Sequence, residues 1–242
     1  MGRKFNYKAS GDSAILMSLD EDINEKTNKR IVSLANRIER DADGYFEEVI
    51  IGFRTLLVQY NPLKVSYHSA VEKLTYLESV SGNSTEQERR HIEIPVLYGG
   101  EYGPDLDSVA QLNSLSPEEV IKIHSEASYL VYFLGFTPGY PFMGGMSKEI
   151  ATPRLDSPRI SIAPGSVGIA NDQTGIYPVE SPGGWRIIGQ TPLQLYNFKK
   201  EQPFLLGAGD YVTFRVILND EFNDIKKRVE EGSYVSTVKE RN

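Results

Sequence analysis

Two arginines framed by prolines are the first residues of this chain that chemistry could use. In Thr152-Pro153-Arg154-Leu155-Asp156-Ser157-Pro158-Arg159 the prolines restrict the backbone, so the guanidinium groups of Arg154 and Arg159 are carried on a stiff segment. Guanidinium grips a carboxylate or phosphate through two parallel hydrogen bonds, which makes the pair a candidate anion clamp. The alternative is an ion pair with Asp156 or another neighbour. Downstream, Ala163-Pro164-Gly165-Ser166 and Asn171-Asp172-Gln173-Thr174-Gly175-Ile176-Tyr177-Pro178 follow. Gln173 and Tyr177 offer neutral hydrogen bonds of the kind that orient an amide. Pro164-Gly165 and Pro182-Gly183 also suit the central pair of type II turns. Trp185, the single tryptophan, follows two glycines; it is either core or a ring that a ligand reaches closely beside them. His124 is either a proton-shuttling or anion-binding group, or a packed histidine that satisfies a backbone carbonyl.

Several familiar chemistries lack their parts. No Gly-x-x-x-x-Gly-Lys-Ser/Thr loop is present, which removes that kind of nucleotide cradle. Gly207-Ala208-Gly209 lacks the third glycine and the following helix of a dinucleotide fingerprint, and no Gly-x-Ser-x-Gly elbow occurs. Three widely spaced histidines and no cysteine leave little for a metal site, no thiolate and no disulfide. The expectation is a cytoplasmic protein, with no apolar run of membrane-spanning length and no secretion signal. The net charge of −7 is concentrated: residues 91–133 carry Lys122 against seven acidic side chains, and no basic stripe exists. Nucleic-acid binding is disfavoured accordingly.

The elements that must position these residues centre on Leu134–Pro192, which holds eight of the 13 prolines and ten of the 21 glycines. Apolar and aromatic residues are interleaved there, unlike in a disordered Pro/Gly segment. Ile160–Ile162, Val167–Ala170 and Trp185–Ile188 read as strands between tight turns, hence an irregular β domain with shaped loops. Tyr129–Leu134 reads as a buried strand leading in, and Phe204–Ile217, broken at Gly207–Asp210, closes the domain. Ser116-Pro117-Glu118-Glu119 has the composition of a helix start. Asp220–Glu231 reads as a final charged helix, and the tail after it is expected to fray. Before residue 90 the pattern is strand, helix, hairpin, helix, a small α+β unit resembling a ferredoxin-like sandwich. The polar loop Ser81–Thr85 and the charged run after it place the boundary, giving an N-terminal domain 1–88 and a second domain 89–242.

Taken together, Gly135-Phe136-Thr137-Pro138-Gly139-Tyr140, Pro153-Arg154 with Pro158-Arg159, Pro164-Gly165-Ser166-Val167, Gln173–Pro178, Ser181-Pro182-Gly183-Gly184-Trp185 and Gly209-Asp210-Tyr211-Val212-Thr213-Phe214 resemble the B subunit of 5-oxoprolinase. That group is also called the KipI or allophanate hydrolase subunit 1 family, and His124 fits its pattern. The resemblance runs over nearly the whole chain. It implies an α+β N-terminal domain followed by a cyclophilin-like β-barrel. It also implies an ATP-dependent hydrolysis of 5-oxo-L-proline to L-glutamate, carried out with two further polypeptides, a paralogous C subunit together with a separate A subunit. Relatives in the family inhibit a sensor histidine kinase or form the carboxyltransferase part of urea carboxylase, and these are the alternative readings. The site residues expected from both lines of reasoning are His124, Arg154, Arg159, Gly165, Ser166, Gln173, Tyr177 and Trp185, with ATP as the cofactor of the assembled complex and no metal in this chain.

Overall fold

The computed structural model describes residues 4–41, 44–80, 89–235 and 238–240. The chain divides into two compact units, residues 1–87 and 88–242. The polar loop at Ser81–Thr85 and the expected boundary at residue 88 lie outside the described residues.

In the first unit, β1 (Asn6–Ser10) and β2 (Ala14–Ser18) form a hairpin, followed by α1 (Glu25–Glu39), β3 (Phe46–Ile51), β4 (Thr55–Tyr60) and α2 (Tyr67–Ser79). The sheet is antiparallel in the order β1-β2-β4-β3. Ile15, Met17, Leu56 and Val58 alternate onto one face and are fully buried against Ile31, Leu34, Ala35 and Ile38 of α1 and Leu74 of α2. The period of two on the strands and of 3.6 on α1 bring these faces together. Asn24 starts α1 by accepting the Thr27 amide at 3.0 Å, which satisfies one of the donors a helix start leaves open. The order of elements is β-β-α-β-β-α. A ferredoxin-like sandwich runs β-α-β-β-α-β; here the strand beside β2 comes before α1 rather than after α2.

The second unit is a closed barrel. Its strands are β5 (Arg90–Tyr98), β6 (Ser128–Leu134), β7 (Pro141–Gly144), β9 (Ser166–Ala170), β10 (Gln173–Ile176), β12 (Arg186–Gln190) and β13 (Tyr211–Val216). They run in the order β12-β9-β10-β7-β6-β13-β5, and β12 returns to β5 through Gly189 beside Tyr98 and Gln190 beside Leu97. Closure of the seven strands leaves no open edge among them. Ile92, Ile94 and Val96 of β5 point inward with Val131, Met143, Val167, Ile169, Ile188 and Val212. Each such side chain contributes about 1.5–3 kcal/mol by leaving water.

Around the barrel lie α3 (Leu106–Leu112), α4 (Pro117–Glu126) and α5 (Asn219–Glu230), and a separate two-stranded ribbon joins β8 (Arg159–Ile162) to β11 (Ser181–Gly183). The expected start of α4 is a full capping box: Ser116 Oγ accepts the Glu119 amide at 3.2 Å, and Glu119 accepts the Ser116 amide at 2.7 Å. Three details differ from expectation. Phe204 makes only an isolated bridge with Tyr196, and the last barrel strand starts at Tyr211. Pro182-Gly183 belongs to β11 and not to a turn. The tail does not simply fray: β14 (Val238–Glu240) pairs antiparallel with the beginning of β5. Among the described residues, no helix is long and apolar enough to cross a membrane.

Candidate functional site on the outer wall of the barrel

All five residues of β9 are buried, because the strand is covered on both faces. Val167 and Ile169 face the barrel interior. The other face carries a second apolar cluster of Tyr140, Ile162, Ala170, Tyr177, Trp185 and Ile187. The β8–β11 ribbon supplies Ile162 to this cluster and so roofs the wall of the barrel. Tyr140 stands at its centre, edge-on to Tyr177 at 5.5 Å and to Trp185 at 5.9 Å between ring centroids. Such T-shaped contacts match ring edges to ring faces and add to the area term. Gly183 is required here by space: a Cβ on it would run into the Tyr177 hydroxyl.

The two arginines, equivalent in sequence, have different surroundings. Arg159 is anchored: its Nη2 donates to Asp105 Oδ1 at 2.8 Å, and its Nη1 lies 3.5 Å from the Trp185 carbonyl oxygen. Asp105 is buried, and its other oxygen accepts the Ile187 amide at 2.7 Å. Arg159 therefore ties the ribbon to the loop before α3, which is the ion-pair alternative with a partner 54 residues away. Arg154 is exposed, with its guanidinium 5.9 Å from the centroid of the Trp185 ring. Among the described residues it makes no ion pair. It lies close enough to pull the hydroxyl pKa values of Tyr140 and Tyr177 downward, although burial dominates and holds both above the ordinary tyrosine value. Both hydroxyls are thus neutral near pH 7. Tyr140 Oη and Ser181 Oγ are buried without a hydrogen-bond partner among the described residues. An exposed guanidinium on an indole face is suited to take a carboxylate or another small anion, while the Tyr140 hydroxyl is enclosed in the packed cluster.

The loop that delivers Tyr140 is strained. Phe136 has φ 64° and the Thr137 amide bonds back to the Gly135 carbonyl at 2.7 Å, a three-residue γ-turn of the costly hand. Phe136 is 72% exposed and sits edge-on to Tyr140 at 5.9 Å. Strain of this kind persists where surrounding structure over-determines it, and it concentrates at functional loops.

Of the remaining expected site residues, Trp185 and Tyr177 are in the cluster, while Gln173 opens β10 with a half-exposed side chain near the same end of the wall. Gly165 and Ser166 lie at the opposite end of β9 and serve the backbone. Gly165 has φ 81°, and the Ser166 amide returns to the Ala163 carbonyl at 3.3 Å, the geometry of a type II turn.

His124 takes the packed arrangement, the second of its two readings from the sequence. It lies inside the barrel, fully buried and stacked on Phe214 at 4.5 Å. Thr174 Oγ1 donates to the Gly168 carbonyl at 3.1 Å, so it accepts from His124 Nε2 at 2.8 Å, and Nδ1 then accepts the Tyr98 hydroxyl at 2.8 Å. Burial lowers its pKa to about 3 and keeps it neutral. Both ring nitrogens of His124 are engaged in the interior, and the ring packs in the core. Two residues the sequence reading passed over belong to the site: Tyr140, signalled only by its place after the Pro-Gly turn, and Asp105, for which no local signal exists.

The chain matches a known domain type. Residues 5–206 match the family described as carboxyltransferase domain, subdomain C and D. The chain is 45% identical to the 5-oxoprolinase B subunit of Bacillus subtilis, over 93% of this chain and 98% of the relative. It is 40% identical to the protein of the same name from Haemophilus influenzae, over 87% and 97%. The protein belongs to the family of 5-oxoprolinase B subunits. The fold alone is shared with the crystal structure of the Kluyveromyces lactis urea amidolyase, with a TM-score of 0.78 at 21% identity, covering 98% of this chain and 16% of that one.

Proposed function

We propose that this protein is one component of an ATP-dependent 5-oxoprolinase complex that opens the lactam of 5-oxo-L-proline to give L-glutamate, and that its outer-wall site holds the substrate. The observation that carries the proposal is the near end-to-end similarity, at 45% identity, to a protein named as that component. The site's chemistry fits the substrate class. 5-Oxoproline is a small flat ring with one carboxylate, and the exposed Arg154 guanidinium over the Trp185 ring takes that carboxylate.

The same donor set does not fit a nucleoside triphosphate, which demands several cationic groups and carboxylates for its magnesium ions: Arg159 is tied to Asp105, and Arg186 is held by the Pro153 carbonyl and Ser108, which leaves Arg154 for a ligand. The nucleotide is therefore assigned to a partner, either the separate A subunit or the paralogous C subunit, while this chain's residues bind and orient substrate. The barrel is read as cyclophilin-like, which carries no isomerase activity with it because fold does not fix function. A cytoplasmic setting suits a chain without cysteine.

The test is to mix the purified chain with both partner proteins, 5-oxoproline and ATP, and to measure glutamate. Turnover that requires all three proteins supports the proposal. Robust turnover by the isolated chain would overturn the need for partners; no turnover from the full mixture, alongside inhibition of a histidine kinase or activity on a urea-type amide, would redirect the reading to those alternatives.

A further inference from the structure

The two residues that flank Trp185 in the chain also hold the backbone on either side of Arg154. The Gly184 carbonyl accepts the Leu155 amide at 2.8 Å, and Arg186 Nε donates to the Pro153 carbonyl at 2.9 Å. A peptide group is planar and moves as one body. The Pro153 carbonyl lies in the plane that enters Arg154, and the Leu155 amide lies in the plane that leaves it. Fixing both planes fixes both backbone dihedral angles of Arg154, and with them the direction in which its side chain departs. Proline has no amide hydrogen, so its carbonyl is the one backbone group by which position 153 can be held.

Arg186 is itself braced. Its Nη1 donates to Ser108 Oγ at 3.1 Å, and the Ser108 hydroxyl donates onward to the Asp105 carbonyl at 2.8 Å. At the other end of α3, the capping residue Asn113 donates through Nδ2 to Thr152 Oγ1 at 2.9 Å. Thr152 exchanges both backbone hydrogen bonds with Asn171, at 3.0 and 2.7 Å. α3 is thus a splint whose two ends reach the two sides of the Thr152–Pro153 peptide. The acceptors of Arg186 in these bonds are a carbonyl and a hydroxyl, both neutral. What the planar guanidinium supplies here is a fixed span between two acceptors.

We propose that Arg186 is the positioning residue of the outer-wall site. On the reading that Arg154 takes the substrate's carboxylate, Arg186 fixes the peptide plane from which Arg154 springs and so keeps that guanidinium over the Trp185 ring, 5.9 Å from its centroid. Arg186 acts through Arg154 and not on the ligand.

Two readouts on the full chain test this. The first needs no ligand: the side-chain Nε–H NMR resonance of Arg154, assigned by its loss in Arg154→Ala, is displaced by the ring current of Trp185 in the parent. It moves toward the position of free arginine in Arg186→Gln and in Ser108→Ala, the second being a small change at a half-buried position. The second readout is titration with 5-oxoproline, followed by the fluorescence of Trp185, the single tryptophan. Arg154→Ala abolishes binding, and Arg186→Gln weakens it about tenfold, the loss of one well-placed charged hydrogen bond. Arg186→Lys recovers little, because an ammonium does not span both acceptors. A merely structural Arg186 would lower the melting temperature and leave both readouts unchanged in the folded variant. An undisplaced change of Arg186, with the Arg154 resonance where the parent has it or with full affinity while Arg154→Ala has lost binding, overturns the positioning role. Full affinity in Arg154→Ala overturns the carboxylate reading itself, which is a separate failure.

Discussion

At the scale of single residues, the two proline-framed arginines separate into an anchor and a free cation, and their variants separate accordingly. Arg159→Ala leaves Asp105 buried without its partner, so a loss of about 2 kcal/mol is expected, read as a drop of several degrees in melting temperature. Arg154→Ala removes a solvent-exposed group and leaves stability within about 0.5 kcal/mol. It lowers glutamate production by the assembled complex about a hundredfold, and Arg154→Lys recovers little, because an ammonium lacks the planar fork. Unchanged complex activity in both Arg154 variants would remove that residue from the site. His124 makes a different kind of prediction. Burial depresses its pKa to about 3, whereas the unfolded chain takes up the proton near pH 6.5. Below about pH 6.5 the unfolded state binds a proton that the folded state refuses, so stability falls as pH falls, approaching a slope of roughly 1.4 kcal/mol per pH unit. Chemical denaturation between pH 7 and pH 4.5 checks this: a His124→Gln variant is less stable at pH 7 but shows the shallower decline.

At the scale of elements, the roof over the outer wall depends on backbone approach. Gly183→Ala pushes a methyl group at the Tyr177 hydroxyl, and a cost of about 1–3 kcal/mol from overpacking is expected. Thermal unfolding reads the cost, and near-ultraviolet circular dichroism reads the displacement of Tyr177 and Trp185. A variant that matches the parent in both would show that the ribbon is free to shift. This ribbon is half legible in the sequence: Ile160–Ile162 reads as a strand, which is β8, whereas β11 reads as a turn. α4 is visible there through its Ser116-Pro117-Glu118-Glu119 start, and α1 because Ile31, Leu34, Ala35 and Ile38 share a face. β5 and β6 are visible as runs of apolar and branched side chains. β7 and β10 are not, since each spans four residues and gains its strand character from neighbours on either side rather than from its own composition. Pro182-Gly183 looks like a turn because both residues are at home in one; only the closeness of Tyr177 makes glycine necessary in a strand. Arg154 and Arg159 are found together by their prolines, yet nothing local distinguishes them, because the partner of Arg159 lies 54 residues away at Asp105. Tyr140 escapes notice for a related reason: its role comes from the rings packed around it.

At the scale of the molecule, the separate cores of residues 1–87 and 88–242 lead to the expectation that a fragment beginning at residue 89 folds by itself. Cooperative unfolding of that fragment, with Trp185 fluorescence blue-shifted as in the full chain, is the supporting result; an aggregated or molten product is the opposing one.

The ends of the second unit bear on how nature and the laboratory can reuse it. β5 begins at Arg90, and the last strand ends opposite that same residue, with Glu240 in register with Arg90. Entry to and exit from the unit are therefore neighbours in space. A unit whose two ends meet behaves as a cassette: it can be spliced between other domains with short connectors and without parting them, as termini that lie close together permit.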